Sequence, residues 1–261
     1  MLKKRLIGVV TVKREWAVQS FGYRHYLPLG KPECLVENLD RWGADEILVQ
    51  VIDRSSCELG PDFELLERIG ALGLETPLIY AGGIRSVADG VRLVQAGADR
   101  LVVDTLLHDD LSAVRALSGR LGAQALIASL PLSWQLDYLS WLDYRTQITS
   151  TIPDDVLDLF RSDVVSEVLI TDWQNEGRPA GFDQGLVDQF PLRDVPVIAF
   201  GGISEPKQMK ILLQSENTAA IAVGNFLAYE EHAVQRYKEA LAGMPMRPAT
   251  YETLFSLTSD V

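Results

Sequence analysis

Short runs of apolar and β-branched residues recur along the whole chain, and most are followed by a stretch in which apolar residues return with helical spacing. The runs predict eight strands, at residues 6–12, 46–52, 77–81, 100–103, 125–130, 167–171, 196–200 and 219–223. Helices are predicted between most of them, at 32–42, 62–72, 87–96, 111–121, 184–190, 206–213 and 232–241. Eight strand–helix units predict a single α/β domain, a (β/α)8 TIM barrel over residues 1–243.

An internal repeat divides this barrel into two similar halves. The sequence PLIYAGGI at 77–84 returns as PVIAFGGI at 196–203, and both copies lead into a helix and a further strand. The repeat predicts a barrel built from two similar half-barrels. A doubly wound open sheet is the structural alternative that the same rhythm leaves open.

Two stretches do not follow the strand–helix rhythm. Residues 131–155 carry four tryptophan and tyrosine residues and few charges, so they form either a long loop or small hairpin that buries its aromatics, or a substrate lid. Residues 244–261 contain two prolines and no periodicity, which predicts a C-terminal extension that packs weakly.

Composition narrows the class of protein. The 261 residues are 47% hydrophobic and carry a formal net charge of −12, which excludes a disordered chain and argues against nucleic acid as a partner. No apolar run reaches the ~20 residues of a membrane helix. Cys34 and Cys57 fit no disulfide framework, and His25, His108 and His232 have no metal spacing, so we expect a cytoplasmic protein without metal or cofactor.

The two Gly-Gly-Ile turns are candidate phosphate sites. A glycine pair between a strand and a helix lets backbone N–H groups approach an anion near the positive end of a helix. Two such turns on opposite halves suit a ligand with phosphate at both ends, although each pair can also serve as a tight turn alone. The candidate residues are Gly82, Gly83, Asp104, Thr105, Gly201, Gly202, Gly224 and Asn225.

Four charged residues each stand immediately before or at the start of an apolar strand run, so they converge on the N-terminal mouth of the predicted barrel. They are Arg5, Glu46, Arg100 and Glu167, called the charge ring below. Two positive and two negative groups can neutralise one another there. Charges on this face usually serve stability. The functional alternative is a gate for a small neutral molecule.

Several stretches resemble the synthase (cyclase) subunit family of imidazole glycerol phosphate synthase. They are residues 4–7 (KRLI), 43–46 (GADE), 82–86 (GGIRS), 96–100 (AGADR), 122–124 (GAQ), 167–171 (EVLIT), 181–183 (GFD) and 201–203 (GGI). The resemblance implies a duplicated (β/α)8 barrel with a glutaminase subunit docked at its N-terminal face. It implies that the charge ring is an ammonia gate, with Arg100 where a lysine is usual, and that Asp99 and Gln124 face the partner.

The family's chemistry carries over less well. The resemblance places two catalytic aspartates at the ends of the first and fifth strands, where this chain has Thr11 and Pro131. Proton transfer needs a titratable group, and neither residue supplies one. Asp53, Asp172 and Glu176 are the candidate substitutes, although they do not restore the two-aspartate arrangement.

This chain retains the residues of the gate and of the partner face but lacks the acid–base pair. In this combination it resembles the divergent copies of the subunit that work with a glutaminase and a sugar amidotransferase in surface-polysaccharide pathways. We therefore expect an ammonia-channelling subunit of a glutamine amidotransferase, with a phosphorylated small molecule or a third protein as acceptor. Two alternatives stay open: an active cyclase of histidine biosynthesis with rearranged acids, and a noncatalytic activator of a glutaminase.

Overall fold

The computed structural model describes residues 3–135 and 138–247, which form twelve strands and nine α-helices. The strands are β1 (Arg5–Lys13), β2 (Trp16–Phe21), β3 (His25–Gly30), β4 (Glu46–Val51), β5 (Leu78–Ala81), β6 (Arg100–Val103), β7 (Leu126–Gln135), β8 (Tyr138–Asp143), β9 (Ile148–Ser150), β10 (Glu167–Asp172), β11 (Val197–Phe200) and β12 (Thr218–Val223). The helices are α1 (Pro32–Arg41), α2 (Phe63–Gly70), α3 (Val87–Gln95), α4 (Thr105–Asp109), α5 (Leu111–Leu121), α6 (Asp154–Arg161), α7 (Gly185–Asp188), α8 (Pro206–Gln214) and α9 (Ala233–Ala240).

Eight of the strands close into a parallel barrel in the order β1-β4-β5-β6-β7-β10-β11-β12. The ring closes because β12 pairs with β1 and β7 pairs with β10, both in parallel. These are the eight strands that the sequence predicts, with ends shifted by a few residues. The predicted (β/α)8 barrel is therefore confirmed, and the open doubly wound sheet is excluded.

Helix ends follow local sequence signals. The Asp62 side chain accepts a hydrogen bond from the Leu65 N–H at the start of α2. The Ser86 hydroxyl accepts one from the Asp89 N–H at the start of α3. Proline occupies the first helical turn of α1 and α8, where its missing N–H costs nothing. Each helix buries one apolar face against the outside of the barrel.

Alternate residues of each barrel strand point inward and outward. The inward residues form a separate apolar cluster of Ile7, Val9, Leu48, Ile79, Ala81, Val102, Ile127, Leu169, Ile198, Phe200, Ala220 and Ala222. Outward residues such as Val10, Val49 and Leu101 join the larger core beneath the helices. The same alternation turns Arg5, Arg100 and the rest of the charge ring toward the barrel axis.

Two hairpins project from the C-terminal ends of the barrel strands. Strand β1 turns back into β2, which pairs with β3, and the sequence pattern does not predict this hairpin. Strand β7 continues past the barrel and pairs with β8, which pairs with β9. The described strands of the aromatic stretch at 131–155 thus pair in the antiparallel arrangement of the predicted hairpin, and they bury Trp141 in a stack on His108 with ring centroids 3.7 Å apart.

The start of the C-terminal extension packs on the N-terminal face of the barrel. The Lys4 N–H donates to the Pro245 carbonyl at 2.7 Å, and the Arg247 N–H donates to the Lys4 carbonyl at 3.1 Å. Residues 248–261 of the predicted extension lie outside the described residues. The division of the chain at residue 243 stays a prediction.

A buried ion pair ties the last helix to this face. Lys238 Nζ lies 2.8 Å from Asp45 Oδ1 and donates to the Gly43 carbonyl at 2.7 Å, while Asp45 Oδ2 accepts from the Leu6 N–H at 2.7 Å. Both side chains are about 5% exposed or less. Removing one partner would leave a desolvated charge without compensation.

We therefore expect Lys238→Ala to lower the free energy of unfolding by roughly 3–5 kcal/mol. Arg161→Ala, which breaks ion pairs of a half-exposed arginine with the exposed Asp154 and the half-exposed Asp158, is the control and should cost at most about 1 kcal/mol. Urea denaturation followed by circular dichroism measures both. Equal effects of the two substitutions would contradict a structural role for the Lys238–Asp45 pair.

Candidate functional site

The charge ring closes the N-terminal end of the barrel. Arg5 contacts Glu46 at 3.0 Å and Glu167 at 2.5 Å, and Arg100 contacts the same two carboxylates at 3.5 and 2.6 Å. All four side chains are between 6 and 14% exposed. The four residues thus form a closed, nearly dry set of ion pairs in which every charge faces two opposite charges.

Burial and mutual attraction oppose each other in this ring. Burial raises the pKa of Glu46, although Arg5 and Arg100 act against it. Burial alone would lower the pKa of Arg5, but Glu167 and Glu46 outweigh it and raise that pKa. The ring is therefore a neutral unit whose members depend on one another, and removal of one cation leaves two carboxylates short of a partner.

The two arginines of the ring are held differently. Arg100 also donates from Nε to the Gln124 carbonyl at 3.1 Å and from Nη2 to Ser166 Oγ at 2.9 Å. Arg5 has hydrogen bonds to the two ring carboxylates. Asp99 and Gln124, the predicted partner-facing residues, are exposed and lie directly beside Arg100, with the Asp99 carboxylate accepting from the Leu78 N–H at 2.8 Å.

An apolar interior separates the charge ring from the opposite end of the barrel. On β6 the inward positions are Arg100 and Val102, and Asp104 follows directly after the strand, so a ring cation, an apolar side chain and a carboxyl come in succession. Four residues of strand span about 13 Å. Thr11 and Pro131 occupy inward positions where β1 and β7 reach the C-terminal end of the barrel, and neither can exchange a proton there.

A cavity of about 270 Å³ opens at this C-terminal end, and we call it the mouth cavity. Gly82, Gly83, Asp104 and Thr105 line it, so the first group of predicted phosphate residues lies together. A Cβ atom on Gly82, whose φ is +128°, would collide with the Val51 carbonyl oxygen. That turn therefore requires glycine for both its backbone conformation and its close packing.

The two hairpins meet over the mouth cavity. Tyr23 in the β2–β3 turn packs edge-on against Tyr144 in the β8–β9 turn, with ring centroids 5.2 Å apart. Both tyrosines line the cavity, and burial raises the pKa of each hydroxyl. Sequence reasoning did not single out Tyr23, because its partner is more than one hundred residues away in the chain.

Asp104 also has a strongly raised pKa. Burial and the neighbouring Asp143 carboxylate raise its pKa to about 7, opposed by a long hydrogen bond from Ser129 Oγ at 3.4 Å. Arg145 would favour the charged form, but it is engaged by Asp109 at 2.7 and 2.8 Å and by Asp143. The predicted phosphate role of Asp104 stays a prediction; its carboxyl has the properties of a proton-transfer group.

The second glycine turn is covered. Gly201, Gly202, Gly224 and Asn225 border a space of only about 10 Å³, which holds at most one water molecule. Asn225 closes it by exchanging hydrogen bonds with the backbone of Ser20, at 3.0 Å from the Ser20 N–H and 2.6 Å to its carbonyl. Phosphate binding at this turn therefore requires the β2–β3 hairpin to move.

Two of the three candidate substitute carboxylates are occupied by structural hydrogen bonds. Asp172 lies at an outward position of β10 and accepts from Asn175 and from the Asp183 N–H, both at 2.9 Å. Glu176 accepts from Ser20 Oγ at 3.0 Å and so anchors the β2–β3 hairpin. Burial raises the pKa of Asp172 and of Glu176.

Asp53, the third candidate, lies on the wall of the mouth cavity and accepts a hydrogen bond from the Arg14 N–H at 2.8 Å. The structure therefore does not bring Asp53, Asp172 and Glu176 together around one point. Within residues 3–135 and 138–247, no cluster of three or more histidine, cysteine or acidic side chains is arranged to hold a metal ion.

With the geometry described, the chain can be compared with known proteins. The family model described as "Histidine biosynthesis protein" matches residues 25–233. The chain belongs to this histidine biosynthesis family. It is 29% identical over 253 residues to the imidazole glycerol phosphate synthase subunit HisF of Thermococcus gammatolerans, covering 95% of this chain and 99% of that protein.

Further relatives carry the same subunit name. The HisF subunit of Lysinibacillus sphaericus is 28% identical over 247 residues, covering 92% of this chain and 97% of the relative. A Vibrio vulnificus protein named "Putative imidazole glycerol phosphate synthase subunit hisF2" is 30% identical over 237 residues, covering 89% of this chain and 86% of that protein. The resemblance predicted from the motifs is confirmed at the level of the family. None of the helices in the described part of the chain is both long and apolar enough to cross a membrane.

The raised pKa of Asp104 has a consequence for stability. Its ordinary value is 3.8, so the folded state holds the proton more tightly than the unfolded chain, and stability falls as pH rises from about 4 to about 7. Asp104→Asn removes this penalty. The difference in free energy of unfolding between the variant and the native protein should therefore change with pH. We expect it to shift in favour of the variant by on the order of 2 kcal/mol from pH 4.5 to pH 8.

Urea denaturation at both pH values measures this difference. Asp155→Asn, at an exposed position of α6, is the control and should show a difference of a few tenths of a kcal/mol at most. A difference between Asp104→Asn and the native protein that is the same at pH 4.5 and pH 8 would show that the Asp104 carboxyl titrates normally.

Proposed function

We propose that this chain is an ammonia-channelling, synthase-type subunit of a glutamine amidotransferase. The observation that carries the proposal is the charge ring, which closes one end of a barrel whose interior is apolar. Ammonia is small and neutral, so it can cross an apolar interior that strongly disfavours ammonium. Ammonia enters when the ring opens, passes the inward apolar side chains and leaves at the mouth cavity.

The partner at the closed end is a glutaminase that releases ammonia from glutamine. Its docking face includes the exposed Asp99 and Gln124 beside Arg100. Support comes from the relatives, whose names describe them as subunits of a synthase. The two arginines differ in their hydrogen bonds, which favours Arg5 as the mobile member, because Arg100 is also tied to Gln124 and Ser166 on the barrel wall.

The chain does not carry out the cyclase–lyase reaction of its family. Thr11 and Pro131 stand where the resemblance places two catalytic aspartates, and Asp172 and Glu176 are held by structural hydrogen bonds. A subunit that retains the gate and lacks this pair serves as a route for ammonia. We propose that it supplies a sugar amidotransferase, for amidino-sugar formation in lipopolysaccharide O-antigen biosynthesis.

The second candidate function is an active imidazole glycerol phosphate synthase cyclase of histidine biosynthesis. The names of the relatives favour it, since their subunits are named for that synthase. It requires acids other than Thr11 and Pro131 at the reacting atoms. A third candidate, a noncatalytic activator of a glutaminase, needs no ligand in the mouth cavity, so binding of a phosphorylated ligand there would argue against it.

Arg5→Ala tests the gate. We expect the variant, assembled with its glutaminase and acceptor enzyme, to hydrolyse glutamine within about threefold of the native rate while the aminated product per glutamine falls roughly tenfold or more, because ammonia leaks from the open ring. Arg5→Lys, which keeps one positive charge, should retain more of the coupling. The measurement is the ratio of aminated product to glutamate, and an unchanged ratio in Arg5→Ala removes the gate.

A further inference from the structure

Large apolar side chains are exposed mainly at one end of the barrel. The described residues include ten that are exposed to solvent, and seven of these lie between the C-terminal end of a barrel strand and the helix that follows it. Five of the seven belong to the two hairpins that meet over the mouth cavity. These five, called the hairpin face below, are Trp16, Leu27, Leu29, Tyr138 and Ile148. A concentration of exposed apolar groups marks a surface that binds another protein or a membrane.

Both hairpins end in a strand with an open edge. Among the described strands β3 pairs only with β2, and β9 pairs only with β8. Unpaired backbone N–H and C=O groups along such an edge can bind an extended segment of another chain. Pro28 removes one donor from β3, which limits pairing there to a short segment. The hairpin face thus offers polar backbone groups beside apolar side chains, and a protein can satisfy both, whereas a lipid bilayer cannot.

The stretch from the end of β1 to the N-cap of α1, which contains the first hairpin, is basic although the chain is acidic. It carries one acidic residue, Glu15, and four basic residues, Lys13, Arg14, Arg24 and Lys31. Its net charge is therefore +3, against −12 for the whole chain. None of the four cations forms an ion pair with a carboxylate of the described residues. Their charges are available to a partner with an acidic surface.

The position of the hairpin face indicates which partner covers it. In the proposed function ammonia leaves at the mouth cavity, which lies beneath the two hairpins and is lined by Arg24, while the glutaminase docks at the opposite end. The protein that receives the ammonia has to cover this opening, because ammonia that escapes into water at neutral pH is protonated. A second copy of this chain fits poorly, since a symmetric contact would bring the same basic side chains together.

We propose that the hairpin face is the docking surface for the enzyme that accepts the ammonia, and that this enzyme presents an acidic surface with an apolar centre. The inference rests on the proposed function and deepens it, because it states where the acceptor enzyme binds and by which chemistry. The apolar side chains supply contact area, and the cations of the first hairpin orient the partner.

Isothermal titration calorimetry measures the docking, with the chain bound to its glutaminase and the sugar amidotransferase of the proposed function as titrant. Leu27→Asp places a charge in the apolar face, and Arg24→Glu reverses one cation. We expect each to raise the Kd at least about tenfold, and the native Kd to rise with salt. The matched controls are Ile211→Asp, at a similarly exposed apolar position of α8, and Arg115→Glu on α5. They should stay within about threefold of the native Kd.

A rate assay separates docking from the gate. With glutamine as the nitrogen source and the amidotransferase below its Kd, Leu27→Asp should lower the rate of aminated product at least about fivefold. With ammonium chloride as the source the two proteins should give equal rates, because free ammonium does not pass through the barrel. Arg5→Ala should leave the Kd unchanged. Failure of the gate therefore leaves the docking face standing, and failure of the docking face leaves the gate standing.

The proposal is overturned if the native complex does not bind the amidotransferase, or if a Leu27→Asp variant shown to be folded by circular dichroism binds it as tightly as the native chain. Two other occupants would also overturn it. One is a second copy, seen in analytical ultracentrifugation as a dimer of the chain alone that Leu27→Asp abolishes. The other is a membrane, seen as cosedimentation with vesicles of phosphatidylcholine and phosphatidylglycerol that Leu27→Asp abolishes.

Discussion

An unpaired charge is costly on the axis of a closed barrel, because it is removed from water there. Four charged side chains nevertheless point to that axis. Arg5, Glu46, Arg100 and Glu167 satisfy one another because the closure of eight strands brings them to one level. The ring is costly to break, because removal of one cation leaves two nearly buried carboxylates short of a partner. The apolar interior of the barrel and the mouth cavity lie on the other side of this ring.

The two ends of the barrel differ in charge and in access to solvent. The N-terminal end is neutral, dry and closed by ion pairs, and an exposed face with Asp99 and Gln124 surrounds it. The C-terminal end has a cavity with a poorly partnered carboxyl, Asp104, beneath two hairpins that meet at Tyr23 and Tyr144. The second glycine turn is covered through Asn225 in this conformation.

The sequence predicts the barrel well because its signals are local. Eight apolar runs identify the strands, the repeated Gly-Gly-Ile turns mark the two halves, and a charged residue at the start of four of the runs identifies the ring. The contact between the two hairpins and the raised pKa of Asp104 have no such local signal. They depend on contacts between distant residues, such as Tyr23 with Tyr144 and Asp104 with Asp143, which no local pattern encodes. The Gly-Gly-Ile repeat indicates Asp104 as a candidate phosphate residue, but it does not indicate the raised pKa of that carboxyl.

The central claim is that this member of the histidine biosynthesis family carries ammonia but no longer cyclises. The most direct test is to supply the purified chain with the family's aminoimidazole-carboxamide ribulotide phosphate substrate and excess ammonium salt, so that no glutaminase is needed, and to measure imidazole glycerol phosphate. The account predicts no product above the uncatalysed rate from a chain shown to be folded. Clear turnover would contradict it, and would mean that other acids have replaced the aspartates missing at Thr11 and Pro131.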